Sequence, residues 1–190
     1  MGITVSKTVY NQLKTQFGDA IGEYIETASP FIEVKSESIR EVARFCKELG
    51  FDSLMCLSAV DTKGMKVSSS PQENKTQKPA PPKEEIQVVY HLNSTFTRDK
   101  IALKVCLDRT SPRLPSVSSI WGVANWHERE AYDMFGVIFD GHPALSRILC
   151  PEDWEGWPLR KDYVFPERYH DVEHKRKPSG AEFLDGEKKQ

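Results

Sequence analysis

Glu85-Ile-Gln-Val-Val-Tyr-His-Leu92 and Lys100-Ile-Ala-Leu-Lys-Val-Cys-Leu107 are the two segments that decide the fold of this chain. In both segments apolar side chains largely alternate with polar ones, which is the period of a β-strand with one buried face. The polar stretch 93–97 that follows the first segment is typical of a turn. The sequence therefore predicts that the two segments form an antiparallel pair of strands.

The segments on either side of this pair predict helices that cover a sheet. Residues 36–49 carry apolar side chains at the i, i+3, i+4, i+7 spacing of a helix, and Gly50 ends that pattern. A second strong helical segment runs from Val117 to Phe135 and ends at Gly136. The other predicted elements are a helix over 6–17 and strands over 21–28, 31–34 and 51–61. This order predicts an α+β fold, a two-layer sandwich in which helices cover one face of a small mixed sheet.

Composition divides the chain into a domain and two polar segments. Residues 65–85 are rich in Ser, Pro and Lys with almost no apolar side chain, which indicates a flexible loop. From Asp140 onward, prolines recur at spacings too short for helices, and the last stretch is highly charged. We predict an α+β domain over 1–140 and an extended C-terminal arm over 141–190 that docks on a partner protein.

Charge and hydropathy narrow the choice of partner. The formal net charge is −2 with mixed signs along the chain, so neither a nucleic acid nor an anionic membrane surface is favoured. The longest apolar stretch, near residues 54–60, is far shorter than the roughly 20 residues that span a bilayer. Any membrane association is therefore expected to come only through partner proteins.

Motifs of common enzyme classes are incomplete. His127-Glu128 begins like the zinc-protease motif, but Ala131 replaces the second histidine ligand. The glycine spacing before His142-Pro143 resembles a phosphate loop, yet no Lys and no Ser or Thr follows. No dinucleotide fingerprint occurs, and the four cysteines lack the spacing of an iron–sulfur ligand set. We expect no catalytic residue, cofactor site or metal site in this chain.

Charged residues near the end of the predicted helix over 117–135 leave two interpretations of their role open. His127, Glu128 and Glu130 are close enough for acid–base chemistry, which would make the chain a free-standing enzyme. The alternative is ion pairing, because Arg129 and Asp133 are four residues apart and can meet on one side of a helix.

Three consecutive charges favour burial of at least one of them. Glu128, Arg129 and Glu130 sweep about 200° around a helix, so they do not all share one solvent face. A buried charge needs a partner, which we expect to be Arg147, Arg160 or a residue of another chain.

The arm contains aromatic side chains that a non-periodic segment has poor means of burying by itself. Apolar and aromatic residues alternate with charged ones over 152–165, and these residue types are favoured in the cores of interfaces. The residues concerned are Trp154, Trp157, Leu159, Tyr163 and Phe165. They favour an arm that lies on a partner.

Three ordered blocks resemble a known family. They are Asn125-Trp-His-Glu-Arg-Glu-Ala-Tyr-Asp-Met-Phe-Gly136, then His142-Pro143 with Arg147-Ile-Leu149, then Glu155-Gly-Trp-Pro-Leu-Arg-Lys-Asp-Tyr163. In this order they are similar to the motifs of the 30-kilodalton-type subunits of complex I, the proton-pumping NADH dehydrogenase. The motif positions that we expect at or near a subunit interface are Trp126, Glu128, Arg129, Glu130, Asp133, Phe135, Gly136, His142, Pro143, Arg147, Glu155, Gly156, Pro158, Arg160, Lys161 and Asp162.

The resemblance implies a non-catalytic structural subunit of the peripheral arm. The chain would contact the quinone-site subunit and neighbouring iron–sulfur subunits, at the cytoplasmic face of the bacterial membrane. NADH, FMN, iron–sulfur clusters and quinone would be held by those partners, whose complex couples electron transfer from NADH to quinone with proton translocation. Related membrane hydrogenases and ferredoxin-driven quinone reductases share this domain, so membership of such a complex is the alternative.

Overall fold

A computed structural model describes residues 2–26, 29–64 and 84–173, with side chains from Lys7 onward. The helices are α1 (Gly2–Phe17), α2 (Ile39–Glu48) and α3 (Ala124–Phe135). The strands are β1 (Ile21–Ile25), β2 (Phe31–Val34), β3 (Ser53–Asp61), β4 (Glu85–Asn93), β5 (Lys100–Asp108), β6 (Arg113–Pro115), β7 (Ile138–Asp140), β8 (Arg168–Tyr169) and β9 (Val172–Glu173). Most of the predicted flexible loop, residues 65–83, and the charged end of the arm, 174–190, lie outside the described residues.

Five strands form one mixed sheet in the order β1-β2-β5-β4-β3. The predicted pair is confirmed as β4 and β5, which run antiparallel from Glu85 opposite Asp108 to Asn93 opposite Lys100. The β2–β5 pair is parallel, whereas β1–β2 and β3–β4 are antiparallel. The predicted α+β class with a mixed sheet is therefore correct.

One face of the central strands lies in the core. Along β4 every second side chain is buried, and the residues paired with them on β5 are buried as well, so the alternation read from the sequence has its expected cause. The buried β4 residues are Ile86, Val88, Tyr90 and Leu92. All three helices contribute to the same core, with Val9, Leu13, Ile39, Val42, Ala43, Cys46, Ala124 and Ala131.

Two elements differ from prediction around α3. The helix begins at Ala124 rather than Val117, because residues 117–123 form turns in which the N–H of Trp121 bonds the carbonyl of Val117 at 3.1 Å. Residues 113–115, over which no element is predicted, form β6, which pairs in parallel with β7. Strands of three residues carry no readable period, so the sequence did not indicate either of them.

Gly136 ends α3 for two independent reasons. Its φ is +74°, a left-handed backbone conformation that costs free energy in any residue with a Cβ. Its N–H bonds the carbonyl of Tyr132 at 2.9 Å and so caps the helix. A Cβ at this position would also lie 2.5 Å from the indole of Trp157.

Gly136→Ala is expected to destabilise the fold by about 2–5 kcal/mol, since backbone strain adds to displacement of the Trp157 ring. Gly64→Ala is the matched control, because its φ is +70° but a Cβ there meets no heavy atom of the described residues within 4 Å. The control should lose only about 1–2 kcal/mol of strain. Urea unfolding of both variants measures the difference, and equal losses would contradict the close contact with Trp157.

Candidate docking surface

The three motif blocks come together in space. The first block forms most of α3 and its cap, and residues 142–163, which we call the strap, are tied to α3 and to the end of β3. The N–H of Leu159 bonds the carbonyl of Met134 at 3.1 Å, and Nε of Arg160 bonds the carbonyl of Phe135 at 2.7 Å. The first part of the predicted arm is thus fastened to its own domain rather than extending away from it.

Asp133 is the main anchor of the strap. Its side chain is fully buried, and Oδ2 accepts the backbone N–H groups of Ile148, Leu149 and Cys150 at 2.9, 2.7 and 2.9 Å. Oδ1 accepts a hydrogen bond from Arg147 at 2.7 Å. Burial alone raises the pKa of the Asp133 carboxyl, but these four donors outweigh it and hold that pKa below its ordinary value.

Arg147 replaces Arg129 as the partner of Asp133, so the predicted Arg129–Asp133 pair is wrong. The Arg147 guanidinium also donates to the carbonyls of Asp133 at 3.1 Å and Gly156 at 3.0 Å, and it lies over the Trp157 ring at 4.7 Å. Arg147 lies fourteen positions further along the chain. It pairs with Asp133 because the strap brings its guanidinium within hydrogen-bond distance of the buried carboxylate.

Arg129 instead joins α3 to the strap at the surface. It donates from Nε to the carbonyl of Ser146 at 3.2 Å and from a terminal nitrogen to Ser146 Oγ at 3.0 Å. Its guanidinium also lies 5.1 Å from the ring of Trp126, whose side chain is 61% exposed. A large aromatic ring is therefore held in place on the outside of the helix by a cation–π contact.

Glu128 points into the protein, which confirms that at least one of the three consecutive charges is buried. Its side chain is 0% exposed. Oε1 accepts the N–H of Val117 at 2.7 Å and Oε2 accepts the hydroxyl of Ser116 at 2.6 Å. The expected partners Arg147 and Arg160 are wrong, because both bind elsewhere on the strap side of the helix.

Burial dominates the electrostatics of Glu128. It raises the pKa of the carboxyl to about 7, although the two hydrogen bonds from Ser116 and Val117 and the positive charge of Arg40 each lower that pKa. Arg40 itself donates hydrogen bonds to the carbonyls of Ser116 at 3.0 Å and Asp140 at 2.7 Å. No cation in the described part of the chain hydrogen-bonds this carboxylate.

His142 lies beside Glu128 and is held in the neutral form by its contacts. Nε2 lies 3.9 Å from Oε2 of Glu128 but donates to the carbonyl of Asn125 at 3.2 Å, while Nδ1 accepts the N–H of Ala144 at 3.1 Å. Burial lowers the pKa of His142, and the charge of Arg129 lowers it further, whereas the hydrogen bond to the Asn125 carbonyl raises it. The histidine therefore shapes the start of the strap.

The acid–base interpretation finds no common site. Glu128 is buried against the turn at 116–117, whereas Glu130 is exposed on another side of α3. A catalytic group of His127, Glu128 and Glu130 would have to converge on one cleft, and Glu128 and Glu130 point to different sides of the helix.

Asp61 is a second anchor that the sequence did not reveal. Its buried carboxylate accepts two hydrogen bonds from Arg109, at 3.0 and 2.9 Å, and the N–H groups of Lys63 and Lys161 at 3.0 and 2.9 Å. Although burial raises its pKa, these donors lower the pKa of Asp61 to about 2. Arg109 also contacts Asp162, so β3, β5 and the strap meet at one ion-pair network.

Aromatic residues of the strap are partly buried within this chain. The Trp157 ring lies 5.4 Å from that of Tyr132, and the Trp154 ring lies 5.0 Å from that of Tyr169. Trp154 therefore packs on another residue of the arm, unlike the expectation, whereas Trp157 packs on α3 and not within the arm. Apolar side chains that stay exposed in and next to the strap include Leu149 at 62%, Leu159 at 52% and Val164 at 84%.

The other motif positions line the outside of the strap or shape its turns. Glu130, Pro143, Glu155 and Lys161 are exposed, and Pro158 is half-buried. Gly156 has a φ of +78°, and its carbonyl accepts the bond from Arg147. The arrangement is a rigid surface with fixed aromatic and aliphatic groups, which suits protein docking.

Among the described residues, no three or more His, Cys, Asp or Glu side chains group together in a way that could hold a metal ion. Within the same part of the chain, each helix is too short or too polar to cross a membrane.

Comparison with known proteins gives consistent matches. A family model described as respiratory-chain NADH dehydrogenase, 30 Kd subunit, matches residues 32–169. The C-subunit of NADH-quinone oxidoreductase from Chlorobium phaeobacteroides is 41% identical over 169 residues, covering 86% of this chain and 91% of that protein.

Solved structures share the architecture. The trypsin-resistant fragment of Nqo5 (residues 1–134) is 27% identical, with a TM-score of 0.58 over 73% of this chain and 98% of that chain. A chain of the membrane-bound sulfane sulfur reductase, an archaeal respiratory membrane complex, is 24% identical, with a TM-score of 0.61 over 83% of this chain and 85% of that one. At that identity the second likeness concerns the fold alone.

Proposed function

Because the chain belongs to the family of the 30 Kd subunit of respiratory-chain NADH dehydrogenase, we propose that it is a non-catalytic structural subunit of NADH-quinone oxidoreductase. The 41% identity over 86% of the chain to the C-subunit of that enzyme carries the proposal. Its partners are then other subunits of the complex. Electron transfer from NADH to quinone, coupled to proton translocation, takes place on NADH, FMN, iron–sulfur and quinone sites in those partners.

The docking surface supports a structural role. Trp126, Leu149 and Leu159 are each more than half exposed, although their backbones are held by α3 and by the strap. Apolar groups fixed in advance lose little conformational entropy on binding, which favours a permanent interface. We propose that this surface and the rest of the arm, over 141–190, dock on the quinone-site subunit and neighbouring iron–sulfur subunits, beside a two-layer α+β domain.

The proposed location follows from these partners. Assembled in such a complex, the chain is a peripheral protein at the cytoplasmic face of the bacterial membrane. Its attachment comes through membrane-embedded subunits of the complex.

A related complex with another electron donor is the second candidate. The likeness to the archaeal sulfane sulfur reductase shows that this fold also occurs in a different respiratory complex. The composition of the purified assembly separates the two candidates. A partner subunit with flavin and an NADH site supports the first, and its absence from an otherwise complete assembly supports the second.

Capture from membranes in mild detergent tests the proposal. A tagged full-length chain should recover subunits that carry flavin and iron–sulfur clusters, identified by mass and by the visible absorption spectrum. Recovery of the chain alone, as a monodisperse monomer, would contradict the proposal.

Charge reversal by Arg129→Glu is expected to reduce recovery of partner subunits at least about tenfold, the effect of 1.4 kcal/mol. The substituted side chain would lose the contacts with Ser146 and release Trp126 from its fixed position. Arg44→Glu, at an exposed position on α2, is the control and should leave recovery unchanged. Normal recovery with Arg129→Glu would show that this part of α3 is not at an interface.

A further inference from the structure

A small cleft lies between the outermost strand of the sheet and the strap. It has a volume of about 200 Å³. Its lining residues are Ala59, Val60, Asp61, Phe135, Leu159 and Lys161. Small-molecule sites usually measure about 300–1,000 Å³, so this cleft is suited to one side chain rather than to a cofactor.

The cleft opens beside a sheet edge. In the part of the chain that the structure describes, β3 is the last strand on its side of the five-stranded sheet, and it is nine residues long. Edge strands of this length are sites where an extended segment of another protein can add to a sheet. The cleft beside β3 gives such a segment a place for one of its side chains.

The acidic groups around the cleft are already paired. Asp61 accepts two hydrogen bonds from Arg109, and Asp162 contacts Arg109 and lies 3.5 Å from Lys63. Lys63 also lies 3.9 Å from Glu84. These carboxylates therefore leave little negative charge for further cations.

Two basic residues lie at or beside the cleft, since Lys161 lines it and Arg160 bonds the carbonyl of Phe135, and neither forms an ion pair with another described residue. Arg160 uses Nε on the carbonyl of Phe135, and Lys161 uses only its backbone N–H, on Asp61. Within the described residues, neither side chain lies within 4.0 Å of a carboxylate oxygen. Burial and the nearby charge of Arg109 lower the pKa of Arg160, whereas the charges of Asp61 and Asp162 raise it. An additional negative charge here would therefore offset the repulsion between Arg109 and Arg160.

We propose that this cleft docks an extended acidic segment of a neighbouring subunit. An aliphatic side chain of that segment occupies the space between Val60, Phe135 and Leu159, and a carboxylate next to it pairs with Arg160 and Lys161. The inference rests on the proposed function, since it requires that the chain be assembled with other subunits. It goes beyond that function by naming the chemistry of one contact.

The energetics favour a carboxylate at this position. A hydrogen bond between guanidinium and carboxylate is charge-assisted, and the Arg160 guanidinium is held next to the cleft by its bond to the carbonyl of Phe135, a lining residue. Complementary charge at such a rim also selects the correct partner and its register.

Substitutions of the rim test the charge contact in the full-length chain, tagged and captured with its complex. Lys161→Glu is expected to lower recovery of partner subunits about tenfold, and Arg160→Gln should lower it and weaken its dependence on salt. Lys35→Glu, another exposed lysine, is the matched control. Melting temperatures of the isolated variants separate a docking defect from a folding defect.

A photo-crosslinking amino acid at position 159 tests the identity of the occupant. The crosslinked peptide should contain an acidic residue next to an aliphatic one. Wild-type recovery of both rim variants at every salt concentration would overturn the inference, and so would a crosslink to a segment without acidic residues. If the wild-type chain itself recovers no partner, the proposed function fails instead, and the two failures are distinguishable.

Discussion

Replacing Asp133 with alanine is expected to lower the free energy of unfolding by about 3–5 kcal/mol, the loss typical when one partner of a buried ion pair is removed. The variant would leave Arg147, which is 10% exposed, without its counter-charge. It would also orphan the N–H groups of Ile148, Leu149 and Cys150, each of which bonds the same carboxylate oxygen.

Asp140→Ala is the matched control for that experiment. Asp140 also pairs with an arginine, Arg113, but both side chains are about half exposed, at 50% and 53%. Such surface pairs contribute roughly 0–1 kcal/mol. Urea unfolding measures both variants, and hydrogen exchange at residues 148–150 should accelerate only in Asp133→Ala. Similar small losses in the two variants would show that Asp133 does not anchor the strap.

Glu128→Gln is expected to stabilise the protein at pH 8 by about 3 kcal/mol and to have little effect near pH 4. Folding raises the pKa of Glu128 from 4.5 to about 7 because the carboxyl is buried. The folded state therefore binds this proton more tightly than the unfolded state. That contribution to stability is complete below pH 4.5 and is lost as the pH rises through 7.

Glutamine imitates the protonated carboxyl at every pH. Its oxygen can accept the N–H of Val117, and its amide nitrogen can donate to the Ser116 hydroxyl, so both observed contacts are kept. Glu130→Gln, at an exposed position of the same helix, should leave the pH profile unchanged. Unfolding free energies between pH 4 and pH 9 decide the matter. Parallel profiles for Glu128→Gln and wild type would contradict the burial of a titrating Glu128.

The strand pair shows why part of the fold was readable from the sequence. In β4 and β5 the side chains that face the core recur every second residue, so the period carries both the element type and the buried face. The same reasoning located α2, whose apolar positions turn one face to the core. It misplaced the start of α3. Residues 117–123 have apolar side chains at helix-like spacing, but they form turns, and the N–H of Val117 in the first of these bonds Glu128.

The motif positions were readable only as a pattern. Resemblance correctly indicated the family, and the angular sweep of residues 128–130 correctly indicated a buried charge. Neither showed which groups would pair. Asp61 and Lys161 are 100 positions apart, and nothing near Asp61 in the sequence marks it as an anchor of the strap.

Taken alone, the sequence determined the α+β class, the central antiparallel pair and the family, because hydrophobic period and motif order are local properties of the chain. Only the tertiary structure decided that Asp133 binds Arg147 rather than Arg129, that Glu128 is buried with its hydrogen bonds going to Ser116 and Val117, and that the strap lies on its own domain. A charged group is stabilised by whichever donors the fold brings within about 3 Å, and that distance depends on how distant segments pack.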